Sequence, residues 1–158
     1  YTQTRIGLNY SKFKIIKFRT MVNNHSFNRQ ITIKNDPRIT SLGKYLRRYK
    51  VDEWPTLFNV IKSEMSFVGP RPEAPKYVQL YTEEQQKILL VKPGITDPAT
   101  ITYNNETDLM IDTEASEKIY IEQILPRKLS INSEYIQKQT LITDVKIIVR
   151  TILLILKI

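Results

Sequence analysis

Two adjacent acids, Asp52 and Glu53, stand at the head of an apolar segment that runs to Ile61, and an arginine-bearing turn, Gly69-Pro70-Arg71-Pro72, follows it. An ionised carboxylate can attack phosphorus and form an acyl phosphate, provided cations offset the repulsion between two anions. Arg47, Arg48, Lys50 and Arg71 are the nearby candidates. Trp54, Leu57, Phe58, Val60 and Ile61 recur at helical spacing, and Pro55 is tolerated only in a first turn, so the spacing predicts a helix beginning between Asp52 and Trp54. At such a start, free N–H groups and the positive dipole end keep a carboxylate ionised and attract phosphate. An Asp there also serves as a plain cap. What adds chemistry is its setting: Arg47 and Arg48 lie one turn upstream, and Arg71 sits between two prolines that stiffen a loop suited to bidentate phosphate binding.

The elements that must position these groups read as follows. Tyr1 to Gly7 and Phe13 to Thr20 form a hairpin around Asn9-Tyr10-Ser11, with Lys12, Lys14, Lys17 and Arg19 giving it a cationic face. Val22 to Asn35 is a polar loop. Asp36-Pro37-Arg38 is a turn, and Thr40-Ser41 caps a helix with Leu42, Tyr45, Leu46 and Tyr49 on one face and Arg47-Arg48 near its end. Helices are expected over Ala74 to Leu80 and, capped by Thr82, over Glu83 to Leu90. Lys92-Pro93-Gly94 breaks the second, and the β-branched Ile95 to Tyr103 is expected to be a strand or extended loop. Two more helices, Ser116 to Ile124 and Leu129 to Gln139, are expected on either side of Pro126.

Thr140 to Ile158 is helical and strongly apolar, with Thr143, Lys146, Arg150 and Lys157 in one stripe and Ile148, Ile152 and Ile155 on the apolar side. Asp144, Lys146 and Arg150 interrupt it, so it lacks the roughly 20 mostly apolar residues of a membrane span. A basic stripe beside a wide apolar face suits a helix lying in the membrane interface; a buried core helix is the alternative.

Composition narrows the partners without choosing one. A length of 158 residues gives one domain, and a net charge of +8 with pI near 9.6 favours a polyanionic partner: nucleic acid, an anionic membrane surface or phosphorylated substrates. With no Cys, disulfides, thiolate metal sites and Cys nucleophiles are excluded. The one histidine, His25, lies in a polar run, which speaks against a Ser-His-Asp triad or a two-His metal site. A nucleic-acid reader would need aromatic stacking platforms on a basic face, whereas Tyr45, Trp54 and Phe58 fall at core-like helical positions, so no nucleic-acid partner is expected.

Five blocks in order, KFRTM (17–21), DPRIT (36–40), LGKYLRRYKVDEWPTLFNVIKSEMSFVGPRPE (42–73), LYTEEQQ (80–86) and KPGIT (92–96), resemble the bacterial sugar transferase family, the monotopic phosphoglycosyl transferases. The resemblance covers nearly the whole chain, taken as one catalytic domain over residues 1–158 from which the family's upstream membrane-inserted helix is missing. It implies transfer of a sugar phosphate from a nucleotide diphosphate sugar to a polyprenyl phosphate such as undecaprenyl phosphate. Such a step starts a lipid-linked glycan (exopolysaccharide, capsule, O-antigen or glycoprotein glycan) at the cytoplasmic face of the bacterial inner membrane. The family's catalytic dyad falls on Asp52-Glu53, its phosphate-binding Arg on Arg47, and Lys17 borders the site; Arg71 completes the substrate-binding set. Mg²⁺ is the implied cofactor, since a hard divalent ion uses one or two carboxylates plus phosphate oxygens, here Asp52 and Glu53. The chain departs from the family at DPATITYNNE (97–106), where many members read GWAQVNGR, so the Arg of that motif aligns with Asn104 and is not carried over. The expected architecture is α/β (α+β): a helix-rich single domain with a small N-terminal hairpin and an amphipathic, interfacial C-terminal helix. The rival readings are a basic nucleic-acid-binding module and a catalytically inert membrane scaffold.

Overall fold

The computed structural model describes residues 1–22, 32–33, 35–103 and 113–156; His25, Asn104, Lys157 and most of the expected 22–35 loop lie outside them. The chain opens with the expected hairpin. Strands β1 (Thr2–Ile6) and β2 (Lys12–Ile16) pair antiparallel, Thr2 opposite Ile16 and Ile6 opposite Lys12. A 3₁₀ turn at Leu8–Tyr10 joins them. Alternation sets the faces: Phe13 and Ile15 pack with Met65, while Lys12 and Lys14 are exposed.

The outer edge of β2 is paired by a side chain. Asn59 is 0% exposed; its Oδ1 accepts from the Ile16 N–H (3.1 Å), and its Nδ2 donates to the Lys14 carbonyl (2.9 Å) and to Glu64 Oε2 (2.7 Å). One amide thus does the work of a third strand, because buried backbone groups must find partners. It also fixes α2 (Leu57–Ile61), which carries Asn59, against the hairpin.

Helix α1 (Ser41–Arg48) is capped by Thr40, whose Oγ1 accepts from Gly43 N–H (2.9 Å). A Cβ on Gly43 would lie 2.1 Å from the Thr20 carbonyl, so this glycine is what lets α1 sit directly on the chain leaving β2. Lys50, at φ 54° and ψ 19°, reverses the chain between α1 and the dyad. Strands β3 (Ser66–Val68) and β4 (Gly94–Thr96) pair in parallel, bringing the Gly69–Pro72 turn against Gly94. A Cβ at Gly94 would fall 2.1 Å from Gly69 N, so only glycine fits. Helix α3 (Pro75–Val78), α4 (Glu83–Gln86) with its 3₁₀ extension to Leu90, and the later helices enclose the main core of Ile6, Tyr77, Tyr81, Leu89, Ile124 and Leu129. Thr82 and Gln85 form a reciprocal capping box.

Four expectations are corrected. The dyad segment is a 3₁₀ turn over Val51–Thr56 followed by the short α2, because Pro55 supplies no N–H to an α-helical ladder. Residues 97–102 do not continue the strand: Asp97 caps helix α5 (Pro98–Thr102), an Asp-Pro start that outweighs the β-branched content. Pro126 separates nothing, since α6 (Thr113–Ile119) runs through a π-helical stretch (Tyr120–Ile124) into α7 (Leu125–Gln137). The wider turn immediately before the proline accommodates its ring and its missing hydrogen bond. Finally, Tyr45, Trp54 and Phe58 are 61%, 64% and 60% exposed, so they are not core residues, and the expected core position no longer speaks against stacking.

Helix α8 (Leu141–Leu156) divides into three faces. Ile147 is buried and Ile148 packs with it against Val68 and Tyr135, while Thr151 Oγ1 lies 2.7 Å from Thr96 Oγ1. Leu141, Ile142, Val145, Val149, Ile152, Leu153 and Leu156 are exposed, and Lys146 and Arg150 flank them. Ile148 and Ile155 therefore face inward or sideways rather than with Ile152. Among the described residues, no helix is long and apolar enough to cross a membrane.

The amide bridge at Asn59 gives the first prediction. Asn59→Ala leaves the Ile16 N–H and Lys14 carbonyl unpaired, which should lower unfolding stability by about 3 kcal/mol in urea denaturation, from roughly 1–3 kcal/mol per orphaned group. Loss below about 1 kcal/mol would show that solvent replaces the bridge.

Candidate active site

The dyad follows directly on the reversal at Lys50. Phe18 N–H donates to the Asp52 carbonyl (2.9 Å), tying the chain that leaves β2 to the dyad, and Thr56, 2% exposed, donates its hydroxyl to the Glu53 carbonyl. Thr56 and Asn59 thus hold the turn from below. Neither carried a signal in the sequence beyond being polar residues in an apolar run.

Glu53 gathers the cations. Its Oε1 accepts from Lys17 Nζ (2.7 Å) and from Arg71 Nη2 (2.6 Å), and its side chain is 13% exposed. Burial raises the pKa of Glu53, but Arg71 and then Lys17 outweigh it and hold the carboxyl well below the usual range. Lys17 is itself pushed down to about 8, by burial first and by Arg71 second, with Glu53 acting in the other direction. The two shifts describe one cluster: a single buried anion shared between two cations that repel each other.

Asp52 behaves differently. It is 8% exposed, and its Oδ1 is buried without a hydrogen-bond partner. Burial, then the charge of Glu53, raises its pKa, while Lys17, Arg47 and Lys50 pull it down. Burial and Glu53 thus act against the ionised form that a helix start was expected to favour, and the start itself is a six-residue 3₁₀ turn. Arg47 is near enough to act on Asp52 electrostatically, but its Nε donates to Thr20 Oγ1 (2.8 Å) and its Nη1 to Thr32 Oγ1 (3.4 Å). Lys17, Glu53 and Arg71 are thus joined directly, Asp52 is adjacent, and Arg47 is held at the rim by Thr20. Arg5 also lines the small cavity beside Lys17, Glu53 and Arg71, a cation that the sequence reading passed over inside a strand.

An α/β domain presenting a cation-gathering acid beside an unpartnered carboxylate can bind an anionic phosphoryl group and offer it an oxygen nucleophile. The profile described as bacterial sugar transferase matches residues 1–158, and the chain belongs to that family. Similar curated proteins include an undecaprenyl-phosphate galactose phosphotransferase of Salmonella typhimurium, 31% identical over 99% of the chain and 33% of the relative. A UDP-glucose:undecaprenyl-phosphate glucose-1-phosphate transferase of Escherichia coli is 36% identical over 96% of the chain and 31% of the relative. An undecaprenyl-phosphate glucose phosphotransferase of Komagataeibacter xylinus is 36% identical over 96% of the chain and 28% of the relative. The chain thus spans about a third of the length of these relatives.

Glu53→Gln removes the shared anion and leaves Lys17 and Arg71 facing each other. Stability at neutral pH should fall by about 2–4 kcal/mol, less than for a fully buried pair because Arg71 is a third exposed. The folded pKa of Glu53 is depressed, so its contribution is complete above the unfolded value near 4.3 and is lost as pH falls toward the folded one. The gap between wild type and variant should therefore narrow on acidification. A gap independent of pH between about 7 and 3 would contradict the ion triad.

Proposed function

We propose that this domain transfers a sugar 1-phosphate from a nucleotide diphosphate sugar to a polyprenyl phosphate, through a covalent aspartyl-phosphosugar. The observation that carries the reading is the unpartnered Oδ1 of Asp52 next to a carboxylate that draws two cations to one place. The lipid phosphate and sugar in the names of the relatives support the choice of donor and acceptor.

In the first step Asp52 attacks the β-phosphorus, and the bond to the oxygen bridging to the α-phosphate breaks, so the nucleoside monophosphate leaves with that electron pair. In the second, an oxygen of the polyprenyl phosphate attacks the same phosphorus, forming the lipid diphosphate sugar and freeing Asp52. Arg71, Lys17 and Arg47 are suited to hold the phosphoryl oxygens. Glu53, with Oε1 already accepting from Lys17 and Arg71, orients the cations rather than serving as nucleophile. Mg²⁺ suits the free oxygen of Asp52, and among the described residues no group of three carboxylate or histidine side chains offers a protein cage, so phosphate oxygens and water would complete its shell. Bound there, the ion would supply neutralisation of the diphosphate charge and would favour the ionised form of Asp52.

A lipid acceptor requires the site to work at a membrane surface, and the reading places the domain on the cytoplasmic face of the bacterial inner membrane. The exposed apolar face of α8, and the exposed Tyr45, Trp54, Leu57, Phe58 and Ile61 beside the dyad, provide apolar area for that surface, with Lys146 and Arg150 for anionic headgroups.

Incubation with nucleotide sugar alone should add the mass of one sugar phosphate at Asp52, and Asp52→Asn should abolish the adduct and cut turnover more than about 1,000-fold. An adduct that persists in Asp52→Asn would overturn the assignment. Arg71→Lys and Arg47→Lys should each lower kcat/KM about 10- to 100-fold, the worth of one charged hydrogen bond. Near-normal rates in both would make these arginines structural.

In vesicle co-sedimentation, replacing Val145, Val149, Ile152 and Leu156 together by Ser should release the domain at any salt. Replacing Lys146 and Arg150 by Gln should weaken binding only to anionic vesicles at low salt. Unchanged sedimentation of a folded Ser variant would remove α8 from the contact.

A further inference from the structure

We infer that Asp97 is a positioning residue for Arg71, setting the main chain from which that guanidinium reaches the reacting phosphate; the inference rests on the function proposed above. The peptide plane between Pro70 and Arg71 is held at both ends. Its carbonyl accepts from Gly94 N–H (3.0 Å), and its N–H donates to Asp97 Oδ2 (2.8 Å). One residue earlier, Gly69 N–H donates to the Thr96 carbonyl (3.0 Å). Pro70 and Pro72 each fix their own φ, and Pro72 confines Arg71 to extended backbone. The backbone of the turn is thereby immobilised, which leaves the side-chain torsions of Arg71 as its remaining freedom, with Glu53 (2.6 Å) among the partners that set them.

Asp97 is built for this second task as well as for capping. It is 1% exposed, and its two oxygens face different partners. Oδ1 accepts from Thr100 N–H, starting α5, whereas Oδ2 takes the Arg71 N–H and lies 3.4 Å from Asn132 Nδ2 on α7. A cap needs one oxygen; the other is spent on the arginine. This gives a role to the position where the chain leaves the common family pattern, at the DPAT sequence after Thr96.

Asp97→Ser separates the two tasks. Serine is a good cap with a single oxygen, so α5 should persist while the Arg71 N–H loses its acceptor. The first readout is amide hydrogen exchange: the Arg71 N–H should exchange about tenfold faster or more in the variant, with the amides of α7 unchanged. The second is a double-mutant cycle on kcat/KM with nucleotide sugar and polyprenyl phosphate. Asp97→Ser should cost about 10- to 100-fold in wild type, the effect of a displacement near 1 Å, but less than about threefold when Arg71 is already Gln. A purely structural Asp97 would cost the same factor in both backgrounds, and that result overturns the inference. Unchanged Arg71 exchange overturns it too, irrespective of any turnover. Faster Arg71 exchange in the variant, together with no transferase activity in the wild-type protein, would instead sink the functional reading, and the inferred role in transfer with it. If Asp97→Ser unfolds, Asp97→Asn is run through the same cycle, since its one carbonyl oxygen also cannot serve both N–H groups; equal costs in both backgrounds overturn the inference there as well.

Discussion

One carboxylate oxygen, Glu53 Oε1, accepts from Lys17 and Arg71, groups that approach from different parts of the fold: the end of the N-terminal hairpin and the turn after β3. Two cations cannot be brought this close in a partly desolvated place without an anion between them, because their repulsion and their lost hydration both oppose it. Much of the surrounding architecture can be understood as supplying the approach paths. Asn59 fixes β2 and hence Lys17, Gly69 and Gly94 let the Arg71 turn lie on β4, and Gly43 lets α1 press against Thr20 so that Arg47 reaches the rim.

The neighbouring acid gains from this arrangement. Since Glu53 absorbs the nearest cations, Asp52 is left with an oxygen that has no hydrogen-bond partner and with a charge made less favourable by burial. Such a carboxylate is poorly satisfied and is best stabilised by a cation or a hydrogen-bond donor. Two identical functional groups one residue apart thereby acquire opposite pKa shifts from their surroundings alone.

The parts of this that were legible in the sequence are those governed by local rules. Thr40 and Thr82 announced their helices, the alternation around Asn9 announced a hairpin, and the charges around Asp52-Glu53 announced a cluster of ionised side chains. Periodicity, however, reports only that a face is apolar, not what covers it. Tyr45, Trp54 and Phe58 keep helical spacing and still point outward. The start of α5 was readable as Asp97-Pro98, but the β-branched residues beside it spoke for a strand; the link from Asp97 to Arg71 spans 26 residues and has no local signature. Asn59 is similar, since a polar residue in an apolar run tells nothing of the strand edge it completes. The opposite leanings of the two acids depend on burial and on cations brought in by the fold, which spacing cannot convey.

The division between the acids is open to direct observation by carboxyl ¹³C NMR, titrating Asp52 and Glu53 in the folded chain without substrate or divalent ions. The account predicts that Glu53 titrates well below an ordinary glutamate and Asp52 above an ordinary aspartate, with Glu53 losing its depression when Arg71 is replaced by Gln. If Asp52 is the depressed carboxyl and Glu53 the elevated one, or if both titrate as in an unfolded peptide, the two acids do not divide the work in this way.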